Sequence, residues 1–212
     1  MLTKIKLAQF RNFSEKEINF KPTTNLIIGN NGVGKTNVLE SVFLLSTGKS
    51  FRAHKTEQMI NNDQDLARVK GELADPKLEL EVVLTRGQIN GQRCSKKRYL
   101  INNVSKRRLN FTGQMPSVLF RPEDIDLVLG SPSLRRDYLD MVLEQIDWQY
   151  RRANLAYQKG LRQRNRLLKR IQEGKAQLAL IAGARDGFSG LPRLLQGREQ
   201  NRDENRDYRY YN

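Results

Sequence analysis

Eight consecutive residues, Gly29-Asn30-Asn31-Gly32-Val33-Gly34-Lys35-Thr36, combine glycines, a lysine and a hydroxyl at a spacing suited to holding phosphates. Gly29-x-x-x-x-Gly34-Lys35-Thr36 satisfies every fixed position of the Walker A pattern. The glycines permit backbone conformations that turn successive N–H groups inward around an anion. Lys35 adds a point charge for β- and γ-phosphates, and the Thr36 hydroxyl is a candidate Mg²⁺ ligand. The ligand this set predicts is a purine nucleoside triphosphate, ATP with Mg²⁺.

Such a loop works only between a strand and a helix. Asn25-Leu26-Ile27-Ile28 reads as a short strand of the buried, parallel-sheet type running straight into the loop. Asn37 to Leu45 has helical spacing and ends near Gly48, so the helix directs its positive end at the anion. Leu45-Ser46-Thr47-Gly48-Lys49 imitates the signature sequence of ABC-type ATPases, but it lies at the far end of this same helix and reads as a C-terminus capped by Gly48. Further strands are expected over Leu2–Phe10, Glu17–Phe20, Val69–Leu73, Leu78–Leu84 and Arg98–Ile101, the third and fourth forming a hairpin. From Leu134 to about Leu180 the pattern predicts at least two long helices, with a break near Gly160 or Gly174. Pro122, Glu123 and Asp124 would open a helix, Gly130-Ser131-Pro132 breaks the chain, and Ser131 or Ser133 can cap the next helix. Arg135 and Arg136 in its first turn oppose the dipole. That placement points to a buried carboxylate, a nucleotide or DNA, or else to a solvated face. The tail beyond Gly183, rich in Arg, Asn, Asp, Glu, Gln and Tyr, is expected to be disordered.

The 212 residues carry a formal net charge of +15, which favours a polyanionic partner. The charge is concentrated. Arg93, Lys96, Lys97, Arg98, Lys106, Arg107 and Arg108 fall on a hairpin and its exit. Arg151, Arg152, Lys159, Arg162, Arg164, Arg166, Lys169 and Arg170 fall on the second long helix, with no acid between Arg151 and Arg170. A solvated helix normally mixes signs at i, i+4. The DNA-binding candidates are therefore Arg151, Arg152, Arg162, Arg166, Lys169, Arg170, Lys96 and Lys97, contacting backbone phosphates rather than reading bases. There is no apolar run of about 18 residues for a membrane span. The single cysteine, Cys94, fits a reducing cytoplasm.

Several stretches together resemble the RecF family, bacterial DNA replication and repair ATPases related to the SMC proteins. They are Phe10-Arg11-Asn12-Phe13, the Asn-Gly-x-Gly-Lys-Thr-Asn wording of the phosphate loop with Leu39-Glu40, and Gly48-Lys49-Ser50-Phe51-Arg52. The most specific runs from Pro122-Glu123-Asp124 through Gly130-Ser131-Pro132 to Arg135-Arg136-Asp137-Tyr138-Leu139-Asp140; Gln163-Arg164-Asn165 with Leu167-Leu168-Lys169 resembles the helical arm. The resemblance covers roughly residues 1–182. It implies an α/β fold: the N-terminal part of an ABC-type phosphate-loop ATPase lobe with β-hairpin strands over 1–133, an inserted helical arm over 134–182, and an atypical tail over 183–212. It also implies Arg11 and Asn12 as possible nucleotide contacts and an ATP-dependent homodimer. Expected partners are single-stranded, gapped or duplex DNA, together with RecO and RecR, in promoting RecA loading and the SOS response.

A complete member would run on well past this length and carry a Ser-containing signature and a Walker B strand ending in Asp-Glu. Here Leu178-Ala179-Leu180-Ile181-Ala182 leads only into Gly183-Ala184-Arg185. No carboxylates stand where Mg²⁺ and an attacking water would need them. The length and the tail read as a truncation or frame shift. Two other readings stay open: a remnant that binds nucleotide or DNA without completing a cycle, and an unrelated phosphate-loop kinase or NTPase.

Overall fold

The computed structural model describes residues 1–89 and 91–183, so the tail expected to be disordered lies outside the described residues. The chain divides into two compact units between Ala156 and Tyr157.

The first unit is built on an antiparallel sheet. Strands β1 (Leu2–Phe10), β2 (Phe13–Asn19), β3 (Leu66–Leu73), β4 (Leu78–Thr85), β7 (Lys97–Ile101) and β8 (Val104–Lys106) stand in the order β2-β1-β3-β4-β7-β8. A separate short pair, β5 (Gln88–Ile89) and β6 (Gln92–Arg93), lies between β4 and β7 in the chain. Period-two patterning decides which face is buried. Ile5 and Leu7 of β1, Ala67 and Val69 of β3, and Leu80, Val82 and Leu84 of β4 fill the core. Lys4, Lys70 and Arg68 on the other face pair across strands with Glu17 (2.7 Å), Glu79 (2.8 Å) and Glu81 (3.0 Å). Leu2 is out of phase with Ile5 and Leu7. A register shift between Leu2 and Lys4 corrects this and packs Leu2 against the same core.

Helix α1 (Lys35–Thr47) lies on the apolar face, with Leu44 and Leu45 fully buried. A Cβ at Gly71 of β3 would stand 2.6 Å from the Leu45 side chain, so the glycine is what lets the helix approach the sheet. Gly48 ends α1 in the left-handed conformation (φ 70°), as its position in the sequence predicts. Lys97 and Tyr99 both donate to its carbonyl oxygen (3.3 and 3.2 Å), anchoring the helix end to β7.

Short helices α2 (Arg108–Phe111) and α3 (Asp126–Leu129), the latter preceded by a 3₁₀ turn at Pro122–Ile125, lead to α4 (Pro132–Ile146) and α5 (Trp148–Gly183). Gly130-Ser131-Pro132 does break the chain before α4, but the Ser131 hydroxyl meets that of Ser133 (2.6 Å) and caps no backbone N–H. The two long helices are present, yet the break falls at Asp147 and not at Gly160 or Gly174, both of which lie inside α5. A glycine within a helix costs only about 1 kcal/mol relative to alanine, too little by itself to end one. Asp147 instead leaves the helical region and accepts from the N–H groups of Gln149 (2.7 Å) and Tyr150 (3.1 Å), opening α5.

A second correction concerns Asn25–Ile28. This stretch pairs with no strand among the described residues, and Leu26 and Ile28 are exposed. Apolar character suits a segment to a central strand, but a strand exists only where a neighbour takes up its main-chain groups.

Candidate nucleotide site

The phosphate loop follows Ile28 without regular secondary structure and closes onto α1. Gly32 (φ 87°) and Gly34 (φ 104°) both take positive φ, a backbone region that favours glycine. Gly34 has a further constraint: a Cβ there would stand 2.5 Å from the Phe13 ring and 2.8 Å from the Asn12 amide oxygen. The turn between β1 and β2 is thus pressed against the loop. Lys35 folds back so that its ammonium donates to the carbonyls of Gly29 (2.8 Å) and Asn30 (2.9 Å), fixing the cation across the loop. The first N–H taken into the helix is that of Val38, on the Gly34 carbonyl. The preceding N–H groups of the first turn have no intrahelical acceptor. Helix α1 carries no acid in its first turn and no side-chain cap. Its positive end is open to an anion, and the Thr36 hydroxyl stands on that turn.

Beside the loop lies an open polar recess lined by Arg11, Asn12, Asn37, Arg52, Gln58, Asn61 and Asn62. Its anchor is Glu40, on the second turn of α1 and fully buried. Arg11 grips the Glu40 carboxylate through Nε (2.8 Å) and a terminal nitrogen (2.6 Å), and also donates to the Gln58 carbonyl (2.5 Å). Ser50 donates from its hydroxyl (2.5 Å) and Arg52 from Nε (3.0 Å). Burial pushes the Glu40 carboxyl up, but the hydrogen bonds from Arg11, Ser50 and Arg52 outweigh it and hold the group below the ordinary carboxylate range. Arg11 has positive φ (56°), uncommon for a non-glycine residue. Asn37 donates to Asn12 (2.6 Å) and accepts from Arg52; Asn12 reaches the Gly32 carbonyl (3.4 Å). One carboxylate between two guanidiniums leaves a net positive recess, and Asn12 on its wall also reaches the phosphate loop.

Of the two residues expected from the sequence, Asn12 meets the loop at Gly32 and Gly34, and Arg11 lines the recess beside it. Glu40, Arg52 and Asn37 join them without having been marked by the sequence as site residues. The available signal was a carboxylate on the buried stripe of an apolar helix, which requires cationic partners.

The donor set fits a nucleoside triphosphate: a glycine-rich loop, a fixed ammonium and an uncapped helix N-terminus. For Mg²⁺ it supplies the Thr36 hydroxyl. Among the described residues no group of three or more His, Cys, Asp or Glu could hold a metal, so the ion would depend on phosphate oxygens for its other ligands.

The basic residues separate. Arg151 is buried and donates to the carbonyls of Glu144, Gln145 (3.2 Å) and Leu109 (2.7 Å), capping the end of α4; it is not on an exposed face. Lys97 is half-buried against Gly48, and burial followed by the charges of Arg108 and Lys49 lowers its pKa. Lys96 is exposed but pairs with Glu57 (2.5 Å). Arg152 lies over the Trp148 ring at 5.7 Å. In the second unit, Arg162, Arg166, Lys169 and Arg170 are all exposed along α5; Lys169 pairs with Glu173 at 3.7 Å. Arg135 meets no carboxylate among the described residues: it donates to the carbonyls of Leu127 (3.3 Å) and Gly130 (3.2 Å) at the end of α3.

Comparison with known proteins gives a consistent result. The family described as RecF/RecN/SMC N terminal domain matches residues 1–189. The DNA replication and repair protein RecF of Ligilactobacillus salivarius is 38% identical over 180 residues, covering 82% of this chain and 45% of that protein. The RecF of Lactobacillus johnsonii is 37% identical over 192 residues, covering 90% and 50%. A solved structure of the recombination mediator protein RecF with ATP, of the RecFOR pathway, superposes with a TM-score of 0.70 at 35% identity, covering 81% of this chain and 45% of that one. The chain thus spans about half the length of the relatives it matches.

Proposed function

This chain belongs to the RecF/RecN/SMC N-terminal domain family, and from that premise we propose that it binds ATP with Mg²⁺ on Gly29–Thr36 and DNA phosphates on α5. The observation that carries the nucleotide reading is the joint geometry of the loop: Gly34 closed against Asn12 and Phe13, with Lys35 fixed across Gly29 and Asn30. Arg11 and Asn12 would contact the triphosphate or its ribose, with Arg11 held in the recess by Glu40. The exposed residues Arg162, Arg166, Lys169 and Arg170 of the second unit track a phosphate backbone.

In the wider role, ATP clamps two such lobes together on single-stranded, gapped or duplex DNA, and the assembly works with RecO and RecR in RecA loading and the SOS response, in the cytoplasm. Support comes from kinship with RecF proteins; the ATP-bound RecF structure belongs to the RecFOR pathway.

A specific observation favours a second reading, in which the chain binds nucleotide but does not turn it over: the apolar run at 178–182 leads into Gly183-Ala184-Arg185, without the carboxylates hydrolysis requires. Titration with a fluorescent ATP analogue, then competition with ATP, tests the binding claim. Saturable one-site binding is expected, and failure of ATP to displace the analogue would sink it. Phosphate release by the purified chain would remove the second reading.

A further inference from the structure

Trp148 is the only tryptophan of the chain, and it opens α5 with 48% of its surface exposed. The Arg152 guanidinium, one helical turn on, lies over its ring at 5.7 Å, a cation–π contact. With Gln149, Ala153 and Ala156 these two line an open, mainly apolar recess within the first unit. The recess stands on fixed backbone. Asp147 accepts from the N–H groups of Gln149 (2.7 Å) and Tyr150 (3.1 Å), and Arg151 donates to the carbonyls of Leu109 (2.7 Å) and Gln145 (3.2 Å), so the first turn of α5 is pinned on both sides. Those bonds also turn Asp147, the acid next to Trp148, onto the helix backbone. Among the described residues Arg152 enters no salt bridge. The other cation–π pair, Arg121 over Phe51 at 5.5 Å, differs on this point, because Arg121 is paired with Asp124 at 2.8 Å. Arg152 keeps its charge for a ligand.

We propose that Trp148 and Arg152 form a stacking step for a nucleobase of single-stranded DNA. An exposed π-face beside an uncompensated cation suits a ligand that is both flat and anionic. A nucleotide is both, and the net charge of +15 favours a polymer that carries many of them. A purely apolar partner would gain nothing from Arg152. Stacking accepts any base, so no sequence is read. In a duplex the bases already stack on one another, so the step favours unpaired strand, a discrimination that phosphate contacts alone do not supply. The step rests on the DNA binding proposed above and adds to it a contact with bases.

Because Trp148 is the only tryptophan, its fluorescence reports this recess directly. Titration of the full chain with an oligothymidylate should quench the emission saturably. An abasic oligonucleotide of the same length and charge, and a blunt duplex, should quench it far less. By anisotropy of a labelled oligothymidylate, Trp148→Ala should weaken binding about fivefold or more, the scale of one lost base–aromatic stack. Trp148→Phe should recover most of that loss, and duplex affinity should be the same in all three proteins. The ring is exposed, so the circular dichroism of the variants should match wild type. Equal affinity for the oligothymidylate and its abasic counterpart would overturn the stacking step, as would equal affinity of wild type and Trp148→Ala. Either result with duplex binding intact leaves the phosphate contacts of α5 standing, whereas binding to no DNA removes both. A blue shift of the emission with protein concentration, in the absence of DNA, would assign the recess to a second copy of the chain and overturn the proposal.

Discussion

Glu40→Gln removes the charge at the centre of the recess while keeping its shape. The carboxylate takes two bonds from Arg11, one from Ser50 and one from Arg52, and is itself fully buried. Breaking a buried ion pair costs about 3–5 kcal/mol because the partner charge is left uncompensated. The Arg52 side chain is 37% exposed and that of Arg11 19%, so water recovers part of the loss. A destabilisation of about 2–3 kcal/mol is therefore expected, a fall of roughly 5–10 °C in Tm for a chain of this size. The pH dependence separates this cause from simple repacking. The Glu40 carboxyl is held below its ordinary value of 4.5 in the folded chain. Its stabilisation is thus complete above the unfolded value and is lost as pH falls through the depressed folded one. Thermal unfolding of wild type and variant across pH should show a constant difference at neutral and mildly acidic pH, shrinking in the acid range. A variant within about 0.5 kcal/mol of wild type, the scatter of ordinary surface substitutions, would refute the reasoning. A gap that does not narrow in acid would refute it too.

Other outcomes follow from the same geometry. Arg151→Ala should destabilise by about 2–3 kcal/mol, since it orphans buried carbonyls, while leaving the salt dependence of DNA binding unchanged; a flatter slope would return Arg151 to the DNA face. Joint substitution of Arg162, Arg166 and Lys169 by Gln should reduce the slope of log affinity against log salt by about 0.9 for each duplex phosphate no longer neutralised, and an unchanged slope would exclude that face. Gly34→Ala should abolish nucleotide binding and cost about 1–3 kcal/mol of stability through backbone strain, together with displacement of Phe13 and Asn12; retained ATP affinity would mean that their close approach is immaterial.

The phosphate loop, the β3–β4 hairpin, the ends of α1 and the break at Gly130-Ser131-Pro132 were legible because each is written locally, in glycine placement or apolar period. Misreadings arose where distant partners decide. Leu26 to Ile28 has the composition of a buried strand, but pairing depends on a neighbour that composition does not reveal. Arg151 looked like part of a basic helix face, yet the carbonyls at the end of α4 turn it inward. The Glu40 cluster joins residues from the β1–β2 turn, α1 and the loop after it. Only the fold brings those cations to one carboxylate.

The central claim is that Gly29–Thr36 holds the phosphates of ATP, and calorimetric titration of ATP with Mg²⁺ into wild type and Lys35→Ala tests it most directly. The account predicts one site on wild type and a loss of about 30-fold or more in the variant, the cost of removing a charge-assisted phosphate contact, with the variant's melting temperature nearly unchanged. Equal affinity in the two proteins would contradict it.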